Sequence, residues 1–322
     1  MEIILDTIDN IDNYDKMIDD SINGTCFAYS WFMKLKGTDR VLKIMDGSSL
    51  VGVMPLFLSA DGTTINQSTM YIPYGGPVFF TLPDNTRNKI RRIREIEELI
   101  GNYLKNHFDN FSFSLDPYIV DIMPFIRMGI IPELRYTYKI DLTLGIDRIH
   151  ECFGQDRKKE IRICKREGIE FYLDKDIEYF DCDRCVEWEK KYGFPSSSLF
   201  VKEYVKLCIK NKRGMCFIAK KDSEIYGAVF TAWDKNCAYI LYSYFDHSHE
   251  KDRGVIAFLY YNIFVYLSNI GIKEIDFEGS VYPSVEKFNI SFGANQCRYY
   301  NLHYSLTNMQ EVIMHMYDYY EK

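Results

Sequence analysis

Apolar residues recur in this chain with two periods, and the switches between them lay out its elements. A short apolar run from Ile3 gives way to an acidic segment, read as helical, that reaches Ser21, and Ser30-Trp31-Phe32-Met33-Lys34 anchors the next strand or helix in a core. Val41–Met45, the turn Asp46-Gly47 and Leu50–Leu58 read as an antiparallel hairpin. Arg87–Asn106 follows the helical period: Ile90, Ile93, Ile96, Leu99, Ile100 and Leu104 form its stripe, with Arg91, Arg92 and Arg94 facing outward. Its basic residues precede its acidic ones, against the helix dipole, so packing must hold it. Asn110–Leu115 is a strand, Ile122–Met128 a short helix ended by Gly129, and Arg135–Leu142 a strand alternating Tyr136, Tyr138 and Ile140.

The second half opens with a helix predicted over Leu144–Gly168, where positive charge is densest. Lys158, Arg162 and Lys165 fall on one face of it at i, i+4 and i+7. A strand (Ile169–Leu173), two helices (Phe180–Tyr192 and Leu199–Lys210) and a hairpin (Met215–Ala219 with Ile225–Ala232) follow. Tyr239–Phe245 is an aromatic strand. A charged loop to Arg253 leads through Gly254 into an apolar helix running to Asn269, with Gly271 as its left-handed cap. Lys273–Phe277 is the next strand, and Pro283 starts a short amphipathic helix. A last strand, Cys297–Leu306, and a helix, Glu311–Tyr319, close the chain. Strand, charged turn, helix and parallel strand make a βαβ unit. The free N–H groups at Gly254 and Val255, together with Arg253, form a candidate anion site there.

Composition narrows the classes. At 322 residues the chain has room for two domains, and 47% hydrophobic with 16% aromatic residues supplies ample core. A net charge of −7 argues against wholesale wrapping of DNA. The acidic start lacks a signal-peptide pattern and no apolar run approaches membrane-spanning length, so the expected compartment is cytoplasmic. Nine scattered cysteines fit reduced thiols. The single Cys182-x-x-Cys185 and the pair His247 and His249 lack the further ligands of a metal site, so none is expected.

Several stretches resemble a known family. Asp276-Phe277-x-Gly279-Ser280, followed by Phe288, Phe292, Gly293 and Ala294, is similar to the end of the second domain in the FemAB-like branch of the GNAT acyltransferase superfamily. The run Arg157–Gly168 and the rigid segment Tyr71–Phe79 also have counterparts there. The resemblance implies an α/β (α+β) fold of two tandem GNAT-like domains, each a mixed, mostly antiparallel sheet flanked by helices. Residues 1–143 would form the degenerate acceptor side and 144–322 the donor side. It implies an N-acyltransferase moving an acyl group from acyl-CoA, or a similar thioester, directly to an amine. The alternatives are an aminoacyl-tRNA-dependent transferase acting on a cell-wall precursor and a catalytically silent binding scaffold. Of the phosphate-loop pattern only Arg253-Gly254 and Ala257 match.

Within that frame the candidates can be named. Direct attack by an amine needs orientation, a base and oxyanion stabilisation. Asp276 and Glu278, at the end of a core strand, are the candidate bases, with one of the two expected to face a cleft. Tyr242 and Tyr244 are candidate proton donors or stacking walls. Arg253, Gly254 and Val255 are assigned to the donor, and Lys34, Tyr74, Arg157, Lys158, Arg162 and Phe292 to substrate binding. No Ser, Cys or His combination is spaced in sequence as a nucleophile would be, so no covalent intermediate is expected.

Overall fold

The computed structural model describes residues 1–59, 62–66, 72–191, 197–245, 254–279 and 283–306. The chain gathers into two units, residues 1–135 with those from 298 onward, and residues 136–297. The first unit contains β1 (Glu2–Thr7), α1 (Tyr14–Asp20), α2 (Ser30–Leu35), β2 (Arg40–Asp46), β3 (Ser49–Pro55), β4 (Thr64–Asn66), β5 (Val78–Phe79), α3 (Thr86–His107), β6 (Asn110–Ser114), α4 (Met123–Arg127) and the start of β7 (Ile131–Asp141). The second continues β7 and adds α5 (Ile146–Glu151), α6 (Gln155–Arg166), β8 (Glu170–Asp174), α7 (Cys182–Lys191), α8 (Ser198–Lys210), β9 (Gly214–Lys221) and β10 (Glu224–Trp233). It is completed by β11 (Cys237–Phe245), α9 (Val255–Asn269), β12 (Glu274–Asp276), α10 (Pro283–Ile290) and the start of β13 (Asn295–Ser305), most of which returns to the first unit.

In the first unit β1, β2, β3 and β5 form an antiparallel sheet, while β6 pairs parallel with β4 and antiparallel with β13. α3 lays Ile96, Ile100 and Leu104 into the core with Phe111, Phe113 and Phe125. Asn85 caps it by accepting the Asn88 N–H at 3.2 Å, and Arg92 and Arg94 ion-pair with Asp46 and Asp121. One position breaks the apolar stripe. Glu97 is fully buried, and neither carboxyl oxygen has a hydrogen-bond partner among the described residues.

In the second unit the strand order is β7-β12-β11-β10-β9-β8. β11 and β12 are parallel and the other pairs antiparallel. α9 is the sheet's main cover, with eight side chains buried, among them Phe258, Leu259, Ile263, Phe264 and Leu267. A helix apolar on nearly every side is a core helix, and each large side chain so buried stabilises the unit by about 1.5–3 kcal/mol. Asp234, inside the β10–β11 turn, fixes it by accepting the N–H groups of Asn236 and Cys237, each at 2.8 Å.

The helix expected over Leu144–Gly168 is two helices. The chain breaks at residues 152–154, where the Gly154 N–H donates to Ser291 O at 2.8 Å. The break turns Phe153 into an aromatic cluster with Tyr261, Phe264 and Phe292. Burial of that ring outweighs continuity of the helical ladder. The helix expected at Glu311–Tyr319 lies outside the described residues.

Candidate functional site

β12 has three residues, and β11 runs beside it for only three, from Cys237↔Glu274 to Tyr239↔Asp276. β11 then continues to Phe245 with β10 on its other side. The parallel pair therefore parts, and among the described residues one edge of β11 is left open where the carboxyl ends of both strands lie. The β10–β11 register also slips here: Phe230 faces Tyr242 while Thr231 faces Ile240, so Leu241 is an extra, bulged residue. A bulge leaves a backbone group out of the ladder and re-aims its neighbours.

Glu278 stands at the end of β12 beside this opening. Its φ of +62° is left-handed, and Gly279 follows at +74°. For a residue with a Cβ such a conformation costs roughly 1–2 kcal/mol, so the surroundings must enforce it. Two observations show how. The Glu278 N–H donates to Asp276 Oδ1 at 2.7 Å, and a Cβ on Gly279 would lie 2.3 Å from Tyr136 O, so only glycine allows the return of the chain. Asp276 is itself fully buried, accepts the Thr137 hydroxyl and lies 3.7 Å from Lys139 Nζ. Asp276 thus shapes the turn, and Glu278 is the carboxyl it presents.

The Glu278 residue is half-buried as a whole, but its Oε1 is buried and has no hydrogen-bond partner among the described residues. Burial, with the Asp276 charge adding to it, pushes this carboxyl well above the usual range. Its field reaches Tyr260 of α9, whose ring stacks on Phe277 at 5.6 Å. Burial raises the Tyr260 hydroxyl to about 12, and a hydrogen bond with the Ser243 hydroxyl opposes the rise. Ser243, Tyr260 and Glu278 therefore gather on one side of the opening. Of these, only Glu278 is among the residues singled out from sequence. Ser243 alternates with Tyr242 and Tyr244 along β11 and so takes the opposite face. That alternation is the signal that identifies it.

Tyr242 is buried and its ring stacks with Phe230 at 6.4 Å. The Tyr244 hydroxyl accepts the Asp181 N–H at 2.6 Å, and burial raises its titration. Phe292 is buried in the cluster of Phe153, Tyr260, Phe277 and Phe288. Among the expected substrate-binding residues, Arg157 pairs with Glu160 at 2.8 Å and lies over the Phe288 ring, and Lys158 donates to Glu151 O at 2.8 Å. Arg162 is exposed and donates to Lys158 O at 3.3 Å. Lys34 pairs with Asp9 at 2.7 Å in the first unit, where Tyr74 is buried edge-to-face with Tyr299. An open groove of about 1240 Å³ is also in that unit, lined by Arg87, Arg91 and Arg127 among others.

Gly254 and Val255 stand at the start of α9, while Arg253 lies outside the described residues. Gly254 has φ +140°, and a Cβ there would lie 2.4 Å from Glu160 Cβ. Gly254→Ala is therefore both strained and blocked. It should lower the thermal midpoint measurably, whereas Ala substitution at exposed Gly168, with φ +77° but open space, should show the smaller loss due to strain alone. Burial raises the Glu160 carboxyl, with Arg157 opposing the rise. No group of three or more His, Cys, Asp or Glu among the described residues is placed to hold a metal, and no helix among them is long and apolar enough to cross a membrane.

Residues 155–283 match the family model described as Acetyltransferase (GNAT) domain. Across nearly the whole chain the structure is similar to the crystal structure of FemX, with TM-score 0.68, 11% identity, and 97% of this chain and 100% of that one covered. It is similar, at TM-score 0.56 and 13% identity with 94% and 93% covered, to the C-terminal domain (DUF2156) of a putative lysylphosphatidylglycerol synthetase from Agrobacterium fabrum. A tandem GNAT protein from the clavulanic acid biosynthesis pathway matches at TM-score 0.50 and 11% identity, with 94% and 98% covered. What is shared at these identities is the fold: a mixed α/β architecture of the tandem GNAT and FemX type.

Proposed function

We propose, from the premise that residues 155–283 form a GNAT acyltransferase domain in a chain of FemX-like fold, that this protein is an N-acyltransferase with Glu278 as its general base. The observation that carries the reading is the strained Glu278 carboxyl beside the parting of β11 and β12. A carboxyl raised by burial is a stronger base than a free one, which suits it to take a proton from an ammonium acceptor before or during attack. The bulge at Leu241 would supply a backbone N–H for the oxyanion. The open edge of β11 would hold the donor in extended form, and the Ser243–Tyr260 pair would return a proton to the leaving group. The unit of residues 136–297 would be the donor side and the first unit the acceptor side, in a cytoplasmic protein.

The first donor to consider is acyl-CoA, with its pyrophosphate at Gly254 and Val255. One observation favours the second reading, an aminoacyl-tRNA donor serving a cell-wall precursor. Glu160 packs against Gly254, so a carboxyl already stands near the helix start that a pyrophosphate would need. Thermal unfolding with and without acetyl-CoA, at low and moderate salt, separates the two. A ligand at a hundred times its Kd stabilises the native state by about 2.7 kcal/mol, a clear shift. A shift supports acyl-CoA. No shift, with transfer from aminoacyl-tRNA to an amine, supports the second donor. The absence of both refutes the transferase reading.

A further inference from the structure

A second arrangement of nucleophile, base and acid lies within the first unit, and it is independent of the reading above. Ser112 of β6 and His303 of β13 are register partners across an antiparallel pair, so their side chains share one face. Ser112 Oγ is 3.0 Å from His303 Nδ1, and His303 Nε2 is 3.1 Å from Glu133 Oε2 on β7. Arg135 Nη2 donates to the same carboxylate oxygen at 2.9 Å. That bond, with His303 adding to it, holds Glu133 below the usual carboxylate range. An ionised Glu133 keeps the proton on Nε2, which leaves the Nδ1 lone pair facing the Ser112 hydroxyl. Asn301, fully buried, stands on the other side, where its Oδ1 at 3.1 Å is the alternative acceptor of the same Ser112 proton and its Nδ2 donates to Ser114 Oγ at 3.1 Å. His303 and Glu133 are about half exposed, so a small molecule can reach the group.

These three residues are 191 and 170 positions apart in the pairs they form, beyond the reach of any spacing rule. Together they meet the geometric requirement for an activated nucleophile: serine on a base, and the base oriented by an acid. We propose that Ser112, His303 and Glu133 form a second reactive site at which Ser112 accepts an acyl group from a small activated ester or thioester. Ser112 Oγ bonds to the acyl carbon as the bond to the leaving oxygen or sulfur breaks. The hydroxyl proton passes to His303 Nδ1 and from there to the leaving group. Water then attacks the acyl-serine, gives its proton to Nδ1, and Oγ recovers it as the carboxylic acid departs. Ser112 lies in a strand paired on both sides, so its own N–H is committed to the sheet and offers nothing to an oxyanion. The site is therefore slow, and the acyl-serine accumulates.

The test is incubation of the full chain with p-nitrophenyl acetate, followed by peptide mapping and p-nitrophenol release. One acetyl group on Ser112 is expected. His303→Ala should slow acetylation of Ser112 by about 10²–10⁴-fold. Glu133→Gln should slow it less and shift the pH profile, and Ser112→Ala should abolish that adduct at an unchanged melting temperature. Acetylation confined to lysines in the wild-type chain overturns the proposal. So does acetylation of Ser112 at an equal rate in His303→Ala.

Discussion

Replacing Glu278 by Gln should lower kcat for acyl transfer by about 10²–10⁴-fold, the range for loss of a general base, with a much smaller change in KM. Gln retains the shape and the left-handed turn, so the Asp276 contact to the 278 N–H survives and the melting temperature should change little. The pH profile gives the second readout. Burial raises the Glu278 carboxyl, so the base form is scarce at low pH and the wild-type rate climbs as pH rises through that raised titration. The variant should lack this limb. Steady-state kinetics across pH measures both effects, and a Glu278→Gln enzyme with wild-type kcat would remove Glu278 from the mechanism.

Glu97→Leu should stabilise the protein by about 3 kcal/mol at pH 7. Glu97 is buried in the α3 stripe without a hydrogen bond among the described residues, and burial raises its titration from 4.5 to about 9, with Asp121 adding to the rise. Between those values the unfolded chain ionises the carboxyl while the folded one keeps it neutral. The unfolded state therefore binds fewer protons, and stability falls as pH rises, by about 1.4 kcal/mol per unit. The contribution is intact below about pH 4.5 and is lost progressively up to about 9. Urea denaturation at pH 5 and pH 8 should show the wild type losing stability relative to Glu97→Leu across that interval. Parallel pH dependence in the two proteins would mean that the carboxyl finds a charged partner when folded.

Sequence patterning locates most elements because their signals are local. The apolar helix after Gly254, the α3 stripe, the β9–β10 hairpin and the β2–β3 hairpin each follow from a period and a turn. The break between α5 and α6 was hidden because Phe153 is turned inward by Phe292 and Phe264, far along the chain. Glu97 was legible in principle, lying between Ile96 and Ile100 on the buried face, but a single acid in a good helical stripe reads as a surface neighbour. At the site, position brought out Asp276 and Glu278, while their division of labour depends on a left-handed φ that no residue type announces. The basic run on α6 points to substrate binding, and Arg157 and Lys158 make contacts inside their own unit. Ser243 and Tyr260 were lost among twenty-six tyrosines and many serines.

The strand order has a consequence for how the chain is made. In the second unit β12 pairs with β7 through Asp276↔Lys139, and in the first β13 pairs with β6 through Ser305↔Asn110. A ribosome releases residues in order, at about 5–20 per second, so β7 waits for the whole span before its partner emerges, and β6 waits longer still. Neither unit can close its sheet until β12 and β13 have been made. Loop closure over such distances makes folding slow and leaves strand edges unpaired in the interval. Removing residues 298 onward would strip β6 of one of its two partners and expose Phe113 and Phe111, so a cut there would unfold the amino-terminal half.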